Sequence, residues 1–275
     1  MLSVVYRAFA GSSWTTSVEA GLTFAFPDPR TTYAVTSLAA GKAYRVRGLT
    51  SRGASASLTT YDARGFAVDN FLLLEPPSFE VTVPACDAGR CLIYRVYRPP
   101  PDGGQELAPP LPTVTDLSTG LDLPECPEQK RVRNSRLVDR LVRALLSLRC
   151  LPRVPVWNSL HVVDYRWHSG MFSNPCYRYY VAFPLRSLVL VGRGSKHMAF
   201  LAGNLRTTRV DAAFHPAEGE SFRLGVARGE QAPLPRCTHA LRWREDNRCP
   251  VLIVKVWYDQ LMDLESFLPR AREYL

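Results

Sequence analysis

The chain has 275 residues, 46% hydrophobic and 21% charged, which excludes an intrinsically disordered protein and leaves room for one large domain or two ordinary ones. Its net charge of +9 would suit an anionic partner, but the arginines are scattered, so a generally basic surface is the simpler interpretation. No run of 18 apolar residues is present, so no membrane span is predicted. The N-terminus lacks the basic start of a secretory signal, which favours a soluble intracellular or virion-associated protein over a secreted one.

Residues 1–98 are predicted to form a first β-sandwich. About eight short segments in this part alternate between apolar and polar residues, with turn residues between them. In 44-YRVRG-48, Tyr44 and Val46 face one way while Arg45 and Arg47 face the other, which is the period of two of a half-buried strand. Eight short strands fit a jelly roll or a similar Greek-key sandwich.

Residues 99–152 are predicted to connect two such units. The segment 99–128 is rich in proline and glycine, which indicates an extended connector. Residues 130–149 carry leucine and valine at a spacing of four, which predicts an amphipathic helix with a basic opposite side. The basic side consists of Arg133, Arg136, Arg140 and Arg143.

This basic side is a candidate site for an anionic partner. The alternative is a helix that packs by its apolar stripe and leaves its arginines in water. No spacing typical of a nucleic-acid module is present, which argues against nucleic acid as the partner.

Residues 153–275 are predicted to form a second β-sandwich, closed by a short C-terminal helix over residues 258–275 that Pro269 limits. This unit looks like a copy of the first, because four blocks recur in the same order. The pairs are 26-FPDPRTTYAV-35 with 172-FSNPCYRYYV-181, 44-YRVRG-48 with 188-LVLVG-192, 79-FEVTV-83 with 222-FRLGV-226, and 92-LIYRVY-97 with 252-LIVKVW-257. The second copy replaces Tyr-Arg-Val-Arg with Leu-Val-Leu-Val, which predicts a more buried strand there.

The sequence contains no catalytic motif, so no catalytic residue is predicted, and a non-enzymatic protein is favoured. A pair of distant carboxylates for glycoside hydrolysis stays open, because sandwich glycosidases place them on separate strands. No two of the five histidines are closer than seven residues, so neither a metal site nor a cofactor is predicted. The seven cysteines form no CxxC, and free thiols in a reducing compartment are the favoured interpretation. The alternative is that Cys86 with Cys91, and Cys237 with Cys249, bridge turns in an oxidising compartment.

Aromatic residues near the start of the second unit offer a candidate carbohydrate site, because sugars stack on aromatic rings. The alternative is ordinary cross-strand packing. The candidate residues are Trp157, Tyr165 and Trp167.

The order DPRTTYAVTSLAAGKAYRVRG, LTTYD, SFEVTV and LIYRVYRPP resembles an uncharacterised, largely bacterial family of β-sandwich domains of unknown function. The resemblance covers residues 26–113 and, more faintly, 172–260. It implies a jelly-roll-like scaffold and brings no activity.

The predicted fold is therefore mainly β, with two tandem jelly-roll-like β-sandwiches, a connecting amphipathic helix and a short C-terminal helix. The predicted function is that of a structural or assembly protein, such as a component of a virion or other large complex, which binds protein partners or itself. The alternative function is that of a carbohydrate-binding or carbohydrate-active protein.

Overall fold

The structure is a computed structural model. It describes the following residues: 11–16, 28–50, 55–62, 66–73, 78–97, 110–125, 161–162, 174–183, 187–195, 198–204, 206–207, 209–229, 236–257 and 270–273. Within these ranges every regular element is a strand. No helix in this part of the chain is long and apolar enough to cross a membrane.

The chain divides into two compact units. Of the described residues, unit 1 contains those from 11 to 125 except Asp28, together with Asn174; unit 2 contains Asp28 and the others. The strands of unit 1 are β1 Thr15–Thr16, β2 Thr31–Leu38, β3 Tyr44–Leu49, β4 Ser55–Tyr61, β5 Ala67–Leu73, β6 Ser78–Val83, β7 Arg90–Tyr97, β8 Thr113–Asp116 and β9 Leu121–Asp122. They form a five-stranded sheet in the order β1-β2-β7-β4-β5 and a four-stranded sheet in the order β6-β3-β8-β9.

Unit 2 repeats this plan. Its strands are β10 His161–Val162, β11 Tyr177–Ala182, β12 Leu188–Arg193, β13 Ala199–Asn204, β14 Val210–Phe214, β15 Ser221–Arg228, β16 His239–Trp243, β17 Pro250–Trp257 and β18 Arg270–Glu273. The five-stranded sheet has the order β10-β11-β17-β13-β14, and the four-stranded sheet has the order β16-β15-β12-β18. All described pairings are antiparallel except that of β15 with β16, which is parallel.

In each unit the two sheets share one core, because alternate residues of every long strand point inward. The core of unit 1 joins Leu58 and Tyr94 of the five-stranded sheet to Val46 of the four-stranded sheet. The core of unit 2 joins Phe200 of the five-stranded sheet to Leu190 of the four-stranded sheet. All five side chains are at most 1% exposed, so each unit has a buried hydrophobic core of its own.

The two units also agree in residue register. Tyr33 pairs with Arg95 in unit 1, and their counterparts in the sequence alignment, Tyr179 and Lys255, pair in unit 2. The aligned blocks in the four-stranded sheets agree in the same way, since Tyr44 pairs with Val83 and Leu188 pairs with Val226. A bulge follows Thr60 in β4 and the equivalent Ala202 in β13. The block alignment therefore places structurally equivalent residues together.

Two differences set the units apart. Strand β16 lies at the edge of the four-stranded sheet of unit 2, beside β15. It falls within residues 229–245, which the second copy carries as an insertion between its third and fourth aligned blocks. Strand β9 lies at the other edge of the four-stranded sheet in unit 1, where it pairs with β8 through Asp116 and Leu121.

Three predictions need comment. The C-terminal helix is wrong for Arg270–Glu273, which form strand β18 beside β12. Their backbone groups pair with those of β12, and four residues are too short a segment for their sequence to predict this pairing. The connecting helix lies outside the described residues. Residues 113–122, assigned from sequence to the proline-rich connector, contain β8 and β9 of unit 1.

Gly194 closes the turn after β12, and it yields a stability prediction. Its amide donates to the carbonyl of Glu220, and its own carbonyl accepts from the amide of Gly219. A Cβ at this position would lie 2.0 Å from the backbone oxygen of Ala217. Gly194→Ala is therefore expected to lower the free energy of unfolding by about 1–3 kcal/mol, measured by urea denaturation.

The control is Gly48→Ala, whose Cβ would meet the ring of Phe79 at 2.8 Å. A ring edge can move whereas a backbone carbonyl in a turn cannot, so the loss should be smaller. Equal losses for the two variants would contradict this account of the turn.

Candidate functional site

The outer face of the five-stranded sheet in unit 1 carries a buried arginine on its central strand. Arg95 is 3% exposed. Its guanidinium donates to Thr59 Oγ1 at 3.2 Å and to Tyr61 Oη at 2.8 Å. The same group lies 6.0 Å and 5.5 Å from the ring centroids of Tyr33 and Tyr61. Hydroxyl groups and aromatic faces therefore hold this cation in place.

Asn174 belongs to the same buried polar face of unit 1. Its side-chain amide donates to the hydroxyls of Ser57, at 3.3 Å, and of Tyr97. All three residues are buried. Asn174 is the residue that the sequence alignment pairs with Asp28, so the Asx-Pro turn of each repeat has a buried side chain.

The equivalent face of unit 2 holds a buried ion pair. Lys255, the register equivalent of Arg95, donates to Asp28 Oδ2 at 2.6 Å, and His215 Nε2 donates to Asp28 Oδ1 at 2.8 Å. Both Asp28 and Lys255 are 4% exposed. The ammonium group of Lys255 also lies 4.4 Å from the centre of the Tyr177 ring.

The electrostatics of this cluster favour a fixed pair over acid–base chemistry. Burial by itself raises the pKa of Asp28, but Lys255 and His215 outweigh burial and hold that pKa below its usual range. Asp28 is therefore ionised at neutral pH and accepts hydrogen bonds on both of its oxygens. The cluster anchors Asp28 to the sheet, which is a structural role.

A different kind of surface lies on the outer face of the four-stranded sheet in unit 1, which we term the β3–β6 face. We define it by Arg45, Arg47 and Leu49 of β3 and Ser78, Glu80 and Thr82 of β6. Arg47 and Glu80 are directly opposite in the ladder. Glu80 lies 3.5 Å from Arg45 and 4.0 Å from Arg47, and the side chains of Arg47 and Glu80 are 51% and 54% exposed. Leu49 is 54% exposed.

Exposed large hydrophobic side chains distinguish unit 1 from unit 2. In the described part of the chain all six of them belong to unit 1: Leu49, Val68, Leu72, Leu111, Leu117 and Leu121. By register, two of them have polar counterparts in unit 2: Arg193 for Leu49 and Asp211 for Val68. At these two positions an exposed aliphatic side chain in unit 1 takes the place of a polar side chain in unit 2.

At two other positions of the β3–β6 face the polarity is reversed, with a charged residue in unit 1 and an apolar residue in unit 2. Arg45 and Arg47 correspond by register to Val189 and Val191, and Val189 is only 2% exposed. This finding agrees with the prediction that the Leu-Val-Leu-Val strand is more buried. At the start of the strand, therefore, a charged and partly exposed arginine in unit 1 takes the place of a buried valine in unit 2.

The site residues predicted from sequence lie outside the described residues. This holds for both candidate sites, the basic one (Arg133, Arg136, Arg140, Arg143) and the aromatic one (Trp157, Tyr165, Trp167). Binding of an anionic partner or of carbohydrate at these residues stays a prediction. Where the structure describes the chain, no three His, Cys, Asp or Glu side chains come together to hold a metal ion.

Sequence reasoning missed both the ion pair and the β3–β6 face. The signal for the first was the single basic residue within each apolar run, Arg95 and Lys255. The signal for the second was the alternation in 44-YRVRGL-49, which places Leu49 on the same side as both arginines. Neither signal is sufficient without the register that identifies the neighbouring strands.

Comparison with solved structures supports the fold alone. An uncharacterised protein from Burkholderia cenocepacia has a TM-score of 0.64 and 15% sequence identity, over 98% of this chain and 86% of that chain. A protein from Vibrio parahaemolyticus has a TM-score of 0.49 and 9% identity, over 100% of this chain and 96% of its own. No protein-family model and no curated protein matches the chain.

Proposed function

We propose that this chain is a non-enzymatic assembly protein, built of two jelly-roll-like β-sandwiches, that binds a protein partner through the β3–β6 face of unit 1. The strand orders and registers of the two units support descent from one duplicated sandwich. A duplicated scaffold can keep one copy for stability while the other acquires a contact surface.

The observation that carries the proposal is the contrast between equivalent positions of the two units. Leu49 is 54% exposed where unit 2 has Arg193, so this leucine has no role in the core of unit 1. It lies beside Arg47 and Glu80, and arginine next to an exposed apolar side chain is typical of protein contact surfaces. A sheet face with mixed charge and an exposed leucine at one end is suited to contact with another protein surface.

The test is the native mass of the full chain isolated without denaturant from the cells that make it. We expect a multimer or a stoichiometric complex rather than a lone 30.8 kDa species. Leu49→Arg should weaken that association at least about tenfold, because burying a leucine is worth about 1.5–3 kcal/mol and a buried extra charge opposes contact.

The matched control is Val68→Arg, which places the same charge at another exposed aliphatic position of unit 1, 47% exposed, on the other sheet. This variant should associate as the wild type does. If Leu49→Arg left the native mass unchanged, the β3–β6 face would not be the contact surface.

A further inference from the structure

The charges of the β3–β6 face are arranged so that the face complements itself. Arg47 and Glu80 lie opposite each other on neighbouring antiparallel strands, about 5 Å apart across the ladder. A two-fold axis that runs between the two strands, parallel to them, exchanges β3 with β6. It therefore carries each Arg47 over a Glu80 and each Glu80 over an Arg47.

The other positions of the face are compatible with the same axis. It exchanges Leu49 with Ser78 and Arg45 with Thr82, because these pairs are also opposite in the ladder. A leucine then meets a small serine, and an arginine meets a hydroxyl that can accept its hydrogen bond. No position of the face is required to meet a like charge.

We propose that the β3–β6 face binds a second copy of this chain in a two-fold contact in which Arg47 of each copy pairs with Glu80 of the other; this inference rests on the proposed function. A contact between identical surfaces is the commonest way in which a soluble protein forms a closed dimer. The arrangement forms a network of six charges, since each Glu80 already lies 3.5 Å from Arg45 and 4.0 Å from Arg47 of its own chain.

An unrelated acidic protein is the competing partner. Glu80 argues against such a partner. It is half-exposed, lies close to both Arg45 and Arg47, and would face the carboxylates of an acidic protein. A second copy makes use of Glu80, whereas an acidic partner would be opposed by it.

The experiment is a charge-reversal mixture, measured by sedimentation equilibrium on the full chain. The variants are R47E and E80R, each alone and then mixed in equal amounts. Each variant alone places like charges opposite each other across the contact, so its self-association should weaken at least about tenfold. The mixture restores opposite charges and should form a heterodimer at least as tight as the wild-type dimer.

Each outcome decides the inference. Heterodimers in the mixture, with monomers in each variant alone, support the two-fold contact. Self-association of R47E and E80R at wild-type strength, or a mixture that stays monomeric, overturns it. If the wild type binds a different protein stoichiometrically and Leu49→Arg abolishes that complex, the inference fails while the proposed function stands.

Discussion

Replacing Asp28 with Asn is expected to lower the free energy of unfolding by about 3–5 kcal/mol. The substitution keeps the size of the side chain and removes its charge, which leaves the ammonium group of Lys255 buried beside a neutral amide. Breaking a buried pair on one side costs more than the pair contributes, because the remaining charge has lost its compensation. Urea denaturation at pH 7 measures the loss.

The pH dependence gives the same prediction a second readout. The pKa of Asp28 is depressed in the folded state, so its stabilisation is fully present above its unfolded pKa of about 3.9 and is lost as pH falls below that value. The difference in unfolding free energy between the wild type and Asp28→Asn should therefore be large at pH 7 and smaller at pH 3. A difference that stayed constant or grew on acidification would contradict the account.

The matched control is Asp246→Asn. Asp246 also pairs with a basic side chain, since Arg244 Nε lies 3.0 Å from its Oδ1, but the two side chains are 71% and 70% exposed. Water replaces such a pair with little penalty, so this variant should unfold close to the wild type. Equal losses for Asp28→Asn and Asp246→Asn would show that burial does not set the strength of the Asp28 pair.

Replacing Phe200 with Ala should also lower the free energy of unfolding by about 3–5 kcal/mol. Phe200 is fully buried in unit 2, and its ring centroid lies 5.2 Å from that of Phe222 and 5.9 Å from that of Phe214. The variant loses the transfer free energy of the ring and leaves a cavity between the two sheets. Denaturant titration followed by near-ultraviolet circular dichroism measures both the loss and the altered aromatic packing.

Leu121→Ala provides the control for Phe200→Ala. Leu121 is 69% exposed, so its truncation leaves no cavity and should change the unfolding free energy by no more than about 0.5 kcal/mol. A loss below about 1 kcal/mol for Phe200→Ala would mean that the core of unit 2 is not packed around this ring.

Much of the β architecture was predictable because alternation is a local signal. The pattern in 44-YRVRG-48 fixed both the strand and its faces, and the alignment of Tyr33 with Tyr179 predicted positions that turn out to share one register. Duplication helped here, because a weak pattern seen twice at equivalent spacing is more reliable than either instance alone.

The remaining features depend on contacts between residues that are distant in the chain. The Asp28–Lys255 pair joins residues 227 positions apart, and no local pattern connects an Asx-Pro turn with a basic residue in an apolar strand. Residues 270–273 were predicted to be helical as part of residues 258–275, but they form strand β18. Four residues are too few to show whether the apolar residues recur with the period of a helix or of a strand. Strand β8 was assigned to the connector because prolines surround it. Thr113 and Thr115 nevertheless alternate with Val114, which is the pattern of a strand.

Hydroxyl-radical footprinting of the wild-type chain across a concentration series tests the role of the β3–β6 face most directly. Oxidation of Leu49 should fall as concentration rises and self-association buries it, while oxidation of the similarly exposed Leu121, which lies outside this face, should stay constant. Equal oxidation of Leu49 at every concentration, in samples whose mass shows that they have associated, would contradict the claim that this face makes the contact.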